Sequence, residues 1–298
     1  MTPAVEVRGL HKSFGRKAVV SGLDITVERG EVFALLGPNG AGKTTTINIL
    51  TTLLDADSGT AAVAGFDTRT QRVEVQRRIS LTGQSAAVDD ALTAIENVVM
   101  FARLAGLHRS AARRRTTDLL ARFDLADAAD RPVRTYSGGM RRRLDLALSF
   151  VVDPEVLFLD EPTTGLDTRS RRDLWDIIRS LAASGTTVFL TTQYLEEADQ
   201  LADRIAVLHD GRIAAIGTPA ALKSRIGGDT VELHDARGEL LREIPTDGSI
   251  AGLRRALDRL VEHEHEHERE GSIVTLRRPT LDDVFLAVTD TTPLKENA

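Results

Sequence analysis

The chain of 298 residues contains no cysteine. That excludes disulfides, thiolate catalysis and cysteine-ligated zinc, and it fits a reducing compartment. No apolar run approaches the roughly 18 residues that a membrane-spanning helix needs. The N-terminal Met-Thr-Pro-Ala-Val-Glu-Val-Arg also has no basic segment leading into an apolar one. A cytoplasmic protein is the expectation. Excess positive charge is missing too: the net charge is −6, which argues against a broad electrostatic footprint for nucleic acid. Arginine runs at 113–115 and 141–143 are local exceptions, the first reading better as a solvated helix face. There is no long-period repeat. What is present is a chain 42% apolar and 28% charged, globular values, long enough for one large core and a smaller one.

The chain is organised around residues 36–46, Leu-Gly-Pro-Asn-Gly-Ala-Gly-Lys-Thr-Thr-Thr. Gly37, Gly42, Lys43 and Thr44 fill every fixed position of the phosphate-binding pattern G-x-x-x-x-G-K-[ST]. The apolar run Val32–Leu36 reads as a buried strand delivering the loop, and Ile47-Asn48-Ile49-Leu50 continues into a helix. Along Gly37, Pro38, Asn39, Gly40, Ala41 and Gly42 the glycines let the N–H groups of the residues other than proline turn inward, while the helix opening at Lys43, Thr44 and Thr45 aims its positive end at the same point. Lys43 is placed to reach the β- and γ-phosphates and the Thr44 hydroxyl to ligate Mg²⁺. A plain glycine turn leaves the Lys-Thr pair unexplained. A second apolar run, 156–159, ends in Asp160 and Glu161, at the carboxyl end of a strand where open α/β sheets place ligands. Beside a phosphate loop the two carboxylates divide their use: Asp160 for Mg²⁺, Glu161 to polarise the attacking water.

Around these lie alternating strands at 4–8 and 18–28 with a turn at 14–16, where Phe14 suits either a core or a stack on a nucleotide base. A strand at 60–64, a helix at 70–78 and a strand at 79–82, ending at Gly83-Gln84, follow. From 93 to 152 the periodicity turns helical: Thr93 and Glu96 form a capping-box pattern, a second helix covers 110–123, and a third follows Ser137. The α/β alternation then resumes with a helix at 168–183, a strand at 187–190, a helix from 194 and strands at 205–208 and 213–216. Past Gly227-Gly228 come strands at 230–234, 239–244 and 273–277 with helices from 249 and over 281–288. The expected organisation is a domain over 1–226, with helical subdomain about 85–152 inserted, and a small α+β domain over 227–298. A helix would place His263 and His267 on one face at i,i+4, a spacing zinc sites use, although glutamates between histidines also make an ordinary polar helix end.

The third piece is Tyr136-Ser137-Gly138-Gly139-Met140-Arg141. Ser137 is a good N-cap, and two glycines in the first turn cost helix stability unless another surface comes close. Arg141, Arg142 and Arg143 sit badly against the positive end of the helix unless negative charge is near.

In this order the pieces resemble the ATP-binding cassette (ABC) ATPases over about residues 4–225. The resemblance implies an α/β P-loop NTPase cassette: a RecA-like core, an antiparallel β subdomain and an inserted helical subdomain, here followed by a small α+β domain. It implies ATP and Mg²⁺ as cofactors and an ATPase activity. Phe14 becomes the aromatic that stacks on adenine, and Gln84 the glutamine touching Mg²⁺ or the attacking water. Ser137, Gly138 and Gly139 become the signature that binds the γ-phosphate held by a second subunit, with Met140 where glutamine is common. Gly165-Leu166-Asp167 matches the loop crossing the dimer interface. Gln193 stands where the family usually has a histidine on the γ-phosphate. Residues 191–199, Thr-Thr-Gln-Tyr-Leu-Glu-Glu-Ala-Asp, and 279–286, Pro-Thr-Leu-Asp-Asp-Val-Phe-Leu, are similar to the daunorubicin-resistance type, which energises drug export through a separate permease. The implied partners are an integral membrane permease and a second copy joined head to tail by ATP, with no nucleic acid; the implied location is the inner membrane face. A soluble cassette acting on ribosomes or DNA and a regulatory module without turnover are the other classes. One cassette without coiled-coil insertions disfavours the former, and Glu161 the latter.

Overall fold

A computed structural model describes residues 2–83, 87–262 and 272–289, with the side chains of 261 and 262 excepted. The chain divides into two compact units, 1–216 and 217–298. The first begins with β1 (Val5–Phe14) and β2 (Lys17–Val27), an antiparallel hairpin, then β3 (Val32–Leu36), buried at every residue as a strand covered on both faces must be. After α1 (Lys43–Leu50) come β4 (Ser58–Val63), β5 (Phe66–Asp67), α2 (Arg72–Gln76) and β6 (Ile79–Thr82). The hairpin, β4 and β5 form one antiparallel sheet in the order β2-β1-β4-β5.

The helical stretch contains α3 (Ala94–Leu104), α4 (Arg109–Arg122) and α5 (Gly138–Leu148). The expected capping box starts α3: Glu96 N–H donates to Thr93 Oγ1 at 3.2 Å, and Thr93 N–H to Glu96 Oε2 at 2.8 Å. The core resumes with β7 (Val156–Asp160), α6 (Thr168–Ala183), β8 (Thr187–Thr192), α7 (Leu195–Leu201), β9 (Arg204–His209) and β10 (Arg212–Gly217). A second sheet runs β10-β9-β3-β8-β7-β6, with β3 parallel to β8 and β9, and β7 parallel to β6 and β8. Phe189 packs between Phe33 and Phe158 at centroid distances of 5.4 and 5.5 Å, tying the three central strands. This order sets the ends of β3, β7 and β8 side by side.

The second unit opens with α8 (Pro219–Ser224), where the sequence reading expected no element. Its Thr218 cap accepts from Ala221 N–H at 3.1 Å, and Pro219 takes the first helical position, where a missing N–H costs nothing. The unit boundary consequently falls at 216/217, ten residues before the expected 226, because α8 packs on the last helix. β11 (Asp229–His234), β12 (Leu240–Thr246) and β13 (Ile273–Arg277) make an antiparallel sheet with β11 central. α9 (Ile250–Glu262) lays Ala256 and Leu260 against Val231, Leu233 and Ile244. α10 (Leu281–Thr289) is capped reciprocally: Thr280 N–H donates to Asp283 Oδ2 at 2.8 Å, and Asp283 N–H to Thr280 Oγ1 at 3.3 Å. Much of the 279–286 motif is therefore a helix start. The His263–His267 run lies outside the described residues.

Candidate nucleotide site

The loop after β3 is shaped by close backbone approaches. A Cβ on Gly37 would stand 2.4 Å from Leu208 O, and one on Gly42, whose φ is +110°, would stand 2.6 Å from Val19 O. Gly37 N–H donates to Thr192 O at 3.1 Å, which moors the loop to the end of β8. Val19, Asn39, Gly40, Gly42, Lys43, Thr44, Thr45 and Glu161 line a cleft of about 240 Å³. Lys43 is buried, and its ammonium donates to Gly37 O at 2.8 Å and Pro38 O at 3.2 Å.

The carboxylates converge on the same loop. Thr44 Oγ1 lies 3.0 Å from Asp160 Oδ2, and Thr191 Oγ1 donates to Asp160 Oδ1 at 2.6 Å. Glu161 Oε1 is 3.1 Å from Lys43 Nζ. The Glu161 backbone is left-handed, φ +50°, a conformation that a non-glycine residue holds only when its surroundings enforce it. Here Glu161 N–H is bound by Thr191 O at 3.2 Å and Thr191 Oγ1 at 3.1 Å. Thr191 thus orients both acids; the sequence reading assigned it no role because the strand expected over 187–190 stops one residue short of it.

Other expected residues stand around this centre. Phe14 ends β1, is 52% exposed, and is not among the cleft's lining residues, whereas Val19 from the paired strand is. Gln193 follows directly on β8, whose last residue pairs with Leu36, so the chain emerges beside the phosphate loop. Gln84 lies outside the described residues; Gly83 before it follows directly on β6. Ser137 caps α5 through Met140 N–H at 3.2 Å. A Cβ on Gly139 would meet Ser170 Oγ at 2.5 Å, while one on Gly138 would meet only Leu166 Cδ2, at 3.8 Å. The close surface that the glycine pair requires is therefore α6, and Gly139 supplies it. Asp167 caps α6, accepting from Ser170 N–H at 2.9 Å and Ser170 Oγ at 2.9 Å. Those bonds, with Ser170 N–H first, hold its carboxyl below the usual range.

The arginines find their negative partners: Arg141 with Asp90 at 3.0 Å, Arg142 with Asp145 at 3.1 Å and Arg143 with Asp124 at 2.6 Å. Arg115 of the other run is committed to Phe150 O and Asp153. A further carboxylate lies deeper: Glu197 on α7 is fully buried and accepts from Trp175 Nε1 at 3.1 Å. Burial pushes its pKa up, against the opposing effects of Thr192, Thr163 and Trp175.

Residues 20–164 match the family described as "ABC transporter". The chain is 50% identical over 305 residues to the daunorubicin resistance ATP-binding protein DrrA2 of Streptomyces coeruleorubidus, covering 96% of this chain and 95% of that one. This chain belongs to the ABC transporter ATP-binding proteins. As an ABC ATPase it is also 42% identical to the Nod factor export ATP-binding protein I of Burkholderia lata, over 80% of this chain and 79% of that one. Among solved structures, that of an ATP binding subunit of an ABC transporter superposes with a TM-score of 0.66 at 27% identity, covering 74% of this chain and 92% of that one. The α/β cassette fold and the ATPase class follow from these likenesses, and the phosphate loop, Asp160 and Glu161 all fall inside the matched family segment.

Proposed function

We propose that this ABC ATPase hydrolyses ATP as the engine of an exporter, two copies working head to tail on a separate integral membrane permease. One observation carries the reading: Glu161, in a strained backbone held by Thr191, presents its carboxylate 3.1 Å from the Lys43 ammonium in the phosphate-loop cleft. The loop N–H groups of residues 39–45 cradle the phosphates, Lys43 reaches the β- and γ-phosphates, and Phe14 stacks on adenine. Glu161 takes the proton of the attacking water, which Gln84 helps orient, and Gln193 donates a hydrogen bond to a γ-phosphate oxygen. The Thr44 hydroxyl and Asp160 carboxylate, 3.0 Å apart, are hard oxygen donors that fit Mg²⁺, with Gln84 as a further donor. Mg²⁺ bound there offsets the phosphate charge.

The pair of copies is supported by the count of one phosphate loop and one signature per chain. Ser137, Gly138 and Gly139 of one copy close on the γ-phosphate of the other, the room over Gly138 admitting it, and the 165–167 loop crosses between them. No helix among the described residues is long and apolar enough to cross a membrane, so membrane attachment falls to the permease. A groove of about 380 Å³ between Ile79 of β6, Phe101 and Ala105 at the end of α3, and Val151 and Val152 after α5 offers the permease an apolar seat. Leu104, 78% exposed, stands on the same helix. The cargo class follows the relatives of higher identity: a drug-like, amphipathic compound.

The direct test is phosphate release. Glu161→Gln is expected to lower turnover by about 10²–10⁴ with ATP affinity retained, as for loss of a general base. Turnover equal to that of the unaltered protein would refute the assignment.

A further inference from the structure

Beside the nucleotide cleft lies a buried charge pair that none of the roles above uses. Arg142 and Asp145, one turn apart on α5, are both buried and are joined at 3.1 Å. Each also bonds backbone far away in sequence. Arg142 Nε donates to Pro162 O at 2.8 Å, and Arg142 Nη1 donates to Gly83 O at 2.8 Å. Asp145 Oδ1 accepts from Ala87 N–H at 2.8 Å. The two side chains therefore grip three points: the residue after Glu161, the residue before Gln84, and the segment at Ala87. Burial lowers the pKa of Arg142 and raises that of Asp145, so each is held charged against a desolvation cost by the other and by its backbone partners. Glu197 and Asp160 add to the negative field at Arg142.

A pair that only filled space would be replaced by apolar residues at little cost. The planar guanidinium fork, by contrast, reaches two carbonyls at fixed angles, which a flexible ammonium cannot. We infer that Arg142 and Asp145 are positioning residues, tying the signature helix α5 to the backbone beside Glu161 and to both chain segments that flank 84–86. The orientation of α5 is thereby coupled to the placement of the general base within its own copy. The inference rests on the reading of Glu161 as that base.

The test compares Arg142→Met, Arg142→Lys and Asp145→Asn with Glu161→Gln in the full-length chain. Steady-state kcat and KM for Mg-ATP, direct nucleotide binding and thermal melting are measured on each. Misplacement of the base is expected to lower kcat by about 10- to 100-fold in Arg142→Met, with KM and nucleotide affinity within about twofold of the parent. Arg142→Lys keeps the charge beside Asp145 and protects folding; it is expected to fall in kcat as well, since it cannot hold both carbonyls. Asp145→Asn still offers an oxygen to Ala87 N–H, so its expected loss is smaller than that of Arg142→Met. Unchanged kcat in both Arg142 variants, beside an inactive Glu161→Gln, overturns the inference and leaves Glu161 as the base. An active Glu161→Gln overturns the underlying reading instead. A parallel loss of affinity and kcat in Arg142→Lys marks a merely structural pair and likewise overturns the inference.

Discussion

Two helix starts in the same unit meet the problem of unpaired N–H groups in opposite ways. α6 supplies its own anion: Asp167 takes both the N–H and the hydroxyl of Ser170. α1 begins at Gly42, which has no side chain to offer, and its first turn contains no acidic residue. The left-handed glycine instead brings the loop against Val19, so the helix start opens into the cleft that Lys43 and Thr44 line. One end is finished by the chain itself; the other is left without a side-chain cap, open for the phosphate proposed to bind there. What separates structure from site here is which N–H groups the sequence declines to cap.

After Glu161→Gln, the largest expected effect concerns Gln193, where the chain leaves β8 beside the phosphate loop. Gln193→Ala is expected to leave ATP affinity nearly unchanged and to lower phosphate release by up to about 10²–10³, the usual value of one donor to a developing charge. Gln193→His should retain activity and add a pH dependence with an apparent pKa of roughly 6.5 before perturbation. Next comes the open helix start. Gly42→Ala places a Cβ 2.6 Å from Val19 O on a left-handed backbone. The backbone term of roughly 1–2 kcal/mol and the clash together predict a loss of at least about 10-fold in ATP affinity by fluorescent-nucleotide titration.

The smallest effects belong to the self-capped end and to the buried Glu197 of α7, and differ in sign with pH. Asp167 titrates below its ordinary range, so its stabilisation is present above the unfolded pKa and disappears as pH falls through the folded one. Melting of Asp167→Ala should lie below the parent at neutral pH and converge with it in acid. Glu197 has the opposite shift, its folded pKa raised by burial, so its ionisation weakens the fold as pH rises above the unfolded value. Glu197→Gln should therefore gain on the parent as pH rises from acid, and parallel melting curves would refute that sign.

Local chemistry made much of this legible. The buried strand β3, the phosphate loop, the Thr93 capping box and α6 were all readable, because each is set by neighbours within a few residues. Asp160 and Glu161 were readable for the same reason, standing at the end of an apolar run. What escaped notice depends on partners far along the chain. Thr191 falls just past the strand expected at 187–190 and carries no signal of its own until β7 and β8 are paired, and only then does it meet Asp160 and Glu161. Arg142 and Asp145 read as part of a charged helix, although their i,i+3 spacing on a buried face is a signal that a closer periodicity count could have caught. α8 was hidden by its shortness, even with Thr218 and Pro219 marking its start.

The central claim, that ATP joins two copies and Glu161 ends that union by hydrolysis, has one most direct measurement. Sedimentation of Glu161→Gln protein is compared with and without saturating Mg-ATP. The account predicts monomers without nucleotide and a stable dimer with it, reversed when ATP is removed. Monomers under both conditions would contradict it.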